Sequence, residues 1–531
     1  MSAEATVAAP EQATGDQRLA ILLSMAMFVL VVDTSLMNVS ISAVVHDLHT
    51  TASGVQSAIA LEALVSAAFI LISSKIGDLI GRKLAYTLGL LGYATGAIAM
   101  TFAQGLTAII VFWAVIGGLG ASLLLPSMQS LIHGNFEGAA QKKAYALVGA
   151  AAAVAAAVGP LLGGFLTTAL SWRVGFALEA VVIAVVLANL RLIKDVPYTG
   201  SRKVDSVGAV LSAVGMGGVI IGILVWQEGG EYVGVLIAVG LVALFSLARW
   251  LLRREREGRP MLLDPSLFRA DAFRLGAGSQ MLQNIVLGGM MIALPIYLQM
   301  VLEYNALQTG LTIAPLSLTM FAAALIAGRR SGKRRPAAVI RGGWALVLVG
   351  LVALEPIIPR AESGWALVLP LIVAGAGLGL LVSQLNNYTL SPVSDERVSE
   401  AAGVNSAAGS FGLSFGLAFG GAIMLATLSI AFTRMAEDSP VLPPAQQAQV
   451  AQALEDDAQV LSDTQLQAQL KDQPDEIRAE MLAINEDARP IALQVAILVP
   501  ILAALLGLVN GFRMLRRPDP VASEHAEMTL A

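Results

Sequence analysis

The sequence predicts an all-α integral membrane protein with fourteen transmembrane helices, and three observations carry that reading. Hydrophobic residues make up 56% of the chain against 13% charged, with a mean hydropathy of +0.73; a soluble domain carries roughly 25% charged residues. Fourteen apolar stretches begin near residues 18, 53, 84, 107, 143, 173, 206, 232, 273, 307, 337, 364, 401 and 490, each able to supply the roughly 20 residues that cross hydrocarbon as helix. With both termini in the cytoplasm, all but six of the 33 basic residues fall on inside loops, as the positive-inside rule requires. The six outside are Arg173, Arg360, Arg434, Lys471, Arg478 and Arg489.

Residues 1–17, "MSAEATVAAPEQATGDQ", are polar and lack a basic n-region. The apolar run from Leu19 to Val45 is too long for a signal core, so an uncleaved first helix behind a disordered tail is expected. Inside that helix "LVVDTSLMNVS" (30–40) holds Asp33, and a carboxylate at the bilayer centre costs about 2.5–3.5 kcal/mol on insertion scales. The second span holds Glu62 in "SAIALEALVSAAF", and "SKIGDLIGRK" (74–83) follows it. There Gly81 permits the positive φ of a tight reversal, Asp78 can accept from a helix N-terminus, and Arg82 and Lys83 anchor the inside face. A charged turn that only obeys the positive-inside rule reads the same way.

The fourth span reads "VFWAVIGGLGAS" and contains no basic residue. In the fifth, "GPLLGGFL" (159–166) follows an alanine-rich run. Pro160 removes a donor and bends the helix, and the small residues let neighbouring backbones approach. The sixth opens with "SWRVGF" and holds Glu179; spans 7 and 8 lie between basic linkers that include "RWLLRREREGR". The ninth, "SQMLQNIVLGGMM", sets Gln280 and Asn284 one helical turn apart on one face, beside Gln283 and the adaptable Met281, Met290 and Met291. Residues 432–489 carry twelve acidic against four basic residues, and their Ala, Gln and Leu content favours one or two exterior helices.

These features exclude several function classes. Without cysteine there are no disulfides or thiolate metal sites, and His46 with His49 reads as an exposed pair at a helix end. No Walker A sequence supports an ATP-driven pump. The basic runs sit beside the membrane, where topology explains them without nucleic acid, and no motif points to an enzyme.

Taken together, "VVDTSLMNVSI", "GDLIGRK", "VGPLLGGFL", "SWRVGF", "PMLLDPSLFRADAFR" and "YLQMVLEYNALQTGLTIAPLSL" resemble the major facilitator superfamily, within it the fourteen-span drug:proton antiporter branch (EmrB/QacA-like). The resemblance implies two six-helix bundles, 18–193 and 273–513, the second including the acidic exterior loop 432–489. Helices 7 and 8 would be inserted in 194–272, and 514–531 would form a cytoplasmic tail. It also implies a conformational latch at Asp78, Gly81, Arg82 and Lys83, and a hinge at Gly159, Pro160, Gly163 and Gly164. The chain departs from the pattern at Ala114, where the branch carries a fourth-span Arg linked to proton coupling, and at Ser74. The second-half loop, "GRRSGKRRP", lacks an acid. Glu62 stands where Tyr is typical and Glu179 where Asn is.

Burial disfavours a charged carboxyl, so Asp33, Glu62 and Glu179 are each expected to be able to take up a proton. The expectation is a multi-pass protein of a bacterial inner membrane, with both termini cytoplasmic, that exchanges protons for amphipathic, cationic small molecules. Asp33 would couple, Glu62 and Glu179 would assist or attract the cation, and Asn38, Gln280 and Asn284 would line the cavity. The energy source would be the proton gradient, with no cofactor. The alternative is a lipid or metabolite exporter with atypical or absent coupling, working with an exterior partner through 432–489.

Overall fold

The computed structural model describes residues 16–195, 205–227, 230–330, 334–361, 363–393, 395–442, 447, 466–467 and 470–518. Most of both tails and the centre of the 432–489 loop, where exterior helices are expected, lie outside the described residues. The first bundle comprises α1 (Gln17–Val39), α2 (Ile41–Leu48), α3 (Ala52–Ile80) and α4 (Arg82–Thr101). It continues with a rod made of α5 (Leu106–Ala108), a π-helical segment (Ile109–Gly117) and α6 (Gly118–Asn135), then α7 (Gly138–Ala169) and α8 (Trp172–Ala188). The insert is α9 (Ser206–Gln227) and α10 (Val233–Arg256). The second bundle holds α11 (Asp271–Met300), α12 (Ala306–Arg329), α13 (Pro336–Leu354), α14 (Val368–Leu390), α15 (Asp395–Glu437) and α16 (Asp475–Leu515).

Among the described residues, thirteen helical rods are long and apolar enough to cross a membrane. The short apolar α8, 17 residues packed against α1, α4 and α7, takes the remaining place at the lower limit of about 17 residues for a span. Each bundle closes on itself: α1 packs on α7, α4 and α3 on α6, α11 on α15 and α16, and α14 on α12 and α13. Small residues bring these helices into backbone contact. A Cβ on Gly120 would lie 2.7 Å from the Gly89 carbonyl oxygen, and one on Gly377 2.6 Å from that of Gly343.

The two bundles meet along two seams, α3 against α15 and α7 against α12, and α9 lies over the first seam in contact with both its helices. Helix α10 packs chiefly on α9 and turns Val235, Val239, Leu241, Val242 and Phe245 outward, the lipid-facing stripe expected of a peripheral span. At the end where α1 begins, here the near end, helix termini and loops carry Arg82, Lys83, Lys143, Lys194, Arg253, Arg256 and Arg516. The far end is poor in basic residues.

Three features differ from the sequence reading. The run from Leu19 to Val45 is not one helix but breaks at Ser40, whose hydroxyl donates back to the Leu36 carbonyl (2.7 Å) and meets Thr167 Oγ1 (2.7 Å). Such back-bonding competes with the helix ladder and bends it. The fourth span is π-helical over nine residues. The helix of the last span begins at Asp475, ahead of the apolar run near 490, so Arg489 at the far end is not in a loop but buried in α16, where it donates to the Met300 carbonyl (2.6 Å). Helices α15 and α16 thus extend beyond the bilayer at the far end, tied by Ser439 Oγ donating to Glu480 Oε1 (2.5 Å) and by buried Leu442, Met481 and Ile484.

The insert is fastened by one buried carboxylate. Asp205 accepts from Gly208 N (3.0 Å), Trp250 Nε1 (3.0 Å) and Leu262 N (3.3 Å) and pairs with Arg254 (3.3 Å). Hydrogen bonds to charged groups contribute about 1.5–3 kcal/mol each. Asp205→Ala is therefore expected to lower the melting temperature of the purified protein by several degrees and to shift Trp250 emission to the red. An unchanged melting curve would show that the insert does not depend on this clamp.

Candidate functional site

Five elements of the first bundle converge on Asp33. Asp33 on α1, Glu62 on α3 and Glu179 on α8 are only 1%, 8% and 4% exposed. Asp33 accepts from the Trp113 indole Nε1, 3.1 Å to Oδ1 and 2.9 Å to Oδ2, and from the Tyr93 hydroxyl on α4. Glu62 and Glu179 each lie close enough to Asp33 to interact with it electrostatically, and Tyr93 feels all three carboxyls. Among the described residues neither carboxyl oxygen of Glu179 has a hydrogen-bond partner.

Local sequence explains how these groups are held. The π segment adds a residue to the turn, a distortion found often at functional sites, and it carries Trp113. The indole also packs edge-on against Phe176 of α8 (centroids 6.3 Å), and Phe176 against Trp172 (6.0 Å). On the other side, a Cβ on Gly118 would lie 2.9 Å from the Glu62 carbonyl oxygen, so the glycine at the end of the π segment lets α3 approach and delivers Glu62. Ala114, standing where a basic residue was sought, is fully buried beside Trp113.

The bonds to Asp33 therefore come from a phenol and an indole, both neutral. The buried arginines among the described residues, Arg82 and Arg489, belong to the near-end turn and to α16. Burying an uncompensated charge costs several kcal/mol. The arrangement holds a carboxyl in position without neutralising it, which is the requirement for a group that exchanges a proton.

The three carboxyls picked out from the sequence are thus brought together, but inside the first bundle and not facing the second. The other expected cavity residues form separate groups. Asn38 donates to the Thr34 carbonyl (2.7 Å), and its Oδ1 is buried without a partner. Asn284 donates to the Gln280 carbonyl (2.9 Å), and both side chains face Gly409 of α15. Thr34, Gln280 and Asn284 are half-buried, unlike Asp33.

The near-end turn makes its contacts within the first bundle. Asp78 and Arg82 form an ion pair, Gly81 adopts φ +98°, and Lys83 binds the Ile193 carbonyl through Nζ (2.8 Å) and Asp195 through its backbone N (3.0 Å). The fifth-span glycines sit where α7 touches two helices. Cβ atoms on Gly159 and Gly163 would meet Ser35 and Leu36 of α1, and one on Gly164 would lie 2.9 Å from Leu307 Cα of α12 in the other bundle.

Sequence reasoning missed Tyr93 and Trp113. Their signal was available: tryptophan normally sits in the interfacial belts of a membrane protein, and a buried indole or phenol needs a polar partner. Trp113, inside the apolar run of the fourth span, departs from the first habit and so calls for such a partner.

A model of the Major Facilitator Superfamily matches residues 23–417. The chain belongs to this family. Relatives include the "Probable actinorhodin transporter" of Streptomyces coelicolor, 26% identical with 76% of this chain and 72% of the relative covered. The multidrug export protein EmrB of Escherichia coli K12 is 27% identical (74% and 78% covered), and the puromycin resistance protein pur8 of Streptomyces alboniger 28% (72% and 76%). In fold the chain is similar to a bacterial homologue of the human lysosomal transporter Spinster, with TM-score 0.63, 11% identity and 95% and 98% of the two chains covered. It is also similar to a peptide transporter crystallised with sulfate, with TM-score 0.57, 14% identity and 94% and 95% covered. The protein is a multi-pass transporter with drug-efflux relatives, not an enzyme.

The two unbonded oxygens of Glu179 yield a stability test. A buried carboxyl without hydrogen bonds is costly whenever it ionises, and an amide of the same shape cannot ionise. Glu179→Gln is expected to keep or raise the melting temperature at neutral pH. A fall of several degrees would mean that the carboxylate has a structural partner.

Proposed function

We propose that this protein exports amphipathic, cationic small molecules in exchange for protons. The observation that carries the reading is the cluster of Asp33, Glu62 and Glu179 inside one bundle, with Asp33 bonded by the neutral donors Tyr93 and Trp113. The drug-efflux relatives support the substrate class.

Both termini lie in the cytoplasm of a bacterial cell, behind the inner membrane, which the basic near end supports. A substrate cation enters between the bundles, where Thr34, Asn38, Gln280 and Asn284 offer polar contacts. A proton entering from outside binds a carboxyl of the cluster, and the membrane potential contributes about 2.3 kcal/mol per charge per 100 mV. Because the cluster sits within the first bundle, protonation acts through helix packing. Proton and substrate need not compete for one carboxylate. The near-end turn at Asp78, Gly81, Arg82 and Lys83 serves as the latch, and Gly159, Pro160, Gly163 and Gly164 are the contact about which the bundles rock.

The test is efflux of a panel of lipophilic cationic dyes from proteoliposomes, with and without an imposed pH gradient. Gradient-driven transport is expected in the wild type, with at least a tenfold loss in Asp33→Asn and a partial loss in Glu62→Gln. Transport indifferent to the gradient and to both substitutions would refute the coupling.

The extension of α15 and α16 beyond the bilayer favours a second reading, in which the far-end segment docks an exterior partner for export of a lipid or a specific metabolite. Deleting residues 443–469 separates the two. An autonomous exporter keeps most of its dye efflux in proteoliposomes, whereas a partner-dependent one loses export in cells and shows none of its own after reconstitution.

A further inference from the structure

The break in the first span frees backbone groups at a depth where they are costly. Helix α1 ends at Val39 and α2 begins at Ile41, and Ser40 adopts φ −99°, ψ 0°. The ladder is interrupted there, so the Val39 carbonyl and the Ser42 N–H lose their helical partners. An unsatisfied backbone group in hydrocarbon costs several kcal/mol.

One side chain from the other bundle satisfies both. Gln299, near the end of α11 and 5% exposed, accepts from Ser42 N through Oε1 (3.0 Å) and donates through Nε2 to the Val39 carbonyl (2.9 Å). Because Ser42 N–H can only donate and Val39 C=O only accept, the amide has one orientation here. A carboxamide carries a donor and an acceptor on the same carbon. An ionised carboxylate has no donor, a thioether neither a strong donor nor a strong acceptor, and a hydroxyl places both on one atom.

This bridge joins a zone in which the bundles seal the far end. Helices α1 and α2 both touch α11, and Ile41, Val44 and Val45 of α2 and Leu294 and Leu298 of α11 are buried. Across the second seam, Leu307 N donates to Thr168 Oγ1 (3.0 Å). Apolar contact alone is not directional, whereas the amide bridge exists at one register only and must break whenever the far ends separate. Water entering the opened end would then solvate Val39 and Ser42.

We infer that Gln299 is the positioning residue that latches the outer gate, by capping the broken first helix from the opposite bundle. The inference needs two bundles that separate, as in any transporter of this architecture, and is independent of the substrate and of proton coupling. The chain has no cysteine, so single reporter cysteines can be read without background.

The experiment places the reporter Thr34→Cys on α1 and measures its labelling by a membrane-impermeant maleimide, from the outside in right-side-out vesicles and from the inside in inverted ones. The comparison is between the reporter alone and the reporter with Gln299→Met, which keeps side-chain length and loses both bonds. Labelling from outside is expected to rise about tenfold, the factor that 1.4 kcal/mol represents, while labelling from inside changes little as long as the far-end-closed form predominates. Unchanged outside labelling in a monodisperse variant with the parent's melting temperature would overturn the inference. Should the methionine variant not yield monodisperse protein, Gln299→Leu, which also loses both bonds and keeps an apolar side chain of similar bulk, decides on the outside labelling rate. Because labelling needs neither substrate nor gradient, a shifted gate without gradient-driven dye efflux would leave the latch standing and count against the antiporter alone.

Discussion

A carboxyl group removed from water needs a counter-charge, a proton or a set of hydrogen bonds, and the first bundle gives Asp33 hydrogen bonds from two neutral aromatic donors. That choice constrains the surrounding structure. An arginine in the fourth span would supply a counter-charge; Ala114 supplies none, and Trp113 next to it holds the carboxyl by hydrogen bonds. The nine-residue π segment, the glycine at its end and the small-residue contacts between α4 and α6 together bring the indole, the phenol and Glu62 to one point.

Protein interiors are close-packed and tend to switch between discrete arrangements instead of deforming continuously. A change of charge in the centre of the first bundle can therefore be read at its surfaces. Helix α1 carries Asp33 toward the bundle interior, packs against the fifth-span glycines one turn later, and ends at the Ser40 break that Gln299 spans. Asp33, the contact with the fifth-span glycines and the Gln299 bridge thus lie along a single helix. Its first two-thirds pack inside the first bundle, and its end is bonded to the second.

Much of this was legible in the sequence, because bilayer thickness and the cost of a charge in hydrocarbon are strong and local constraints. Span positions, the basic near end and the three intramembrane acids follow from composition and spacing alone. The direction in which each acid points does not, since it depends on helix rotation set by packing partners far away in sequence. Asp33 and Thr34 are neighbours, yet one faces the bundle core and the other does not. The Ser40 break was hidden because every residue around it is compatible with helix; only the back-bond to Leu36 and the meeting with Thr167 reveal it. Arg489 lies at the far end as its place in the sequence suggests, but its helical setting was not legible because a charge before an apolar run reads as loop. In α16 the arginine instead caps a carbonyl of α11 from within the helix.

The claim that a carboxyl in the first bundle exchanges protons with the bound state is tested most directly by counting protons. Purified protein in weakly buffered detergent solution, titrated with a cationic dye while pH is followed with an indicator, should release a proton on binding. The release should vanish in Asp33→Asn and persist in Asp78→Asn, whose carboxyl belongs to the near-end turn. Binding without proton release in the wild type, or release undiminished by Asp33→Asn, would contradict the account.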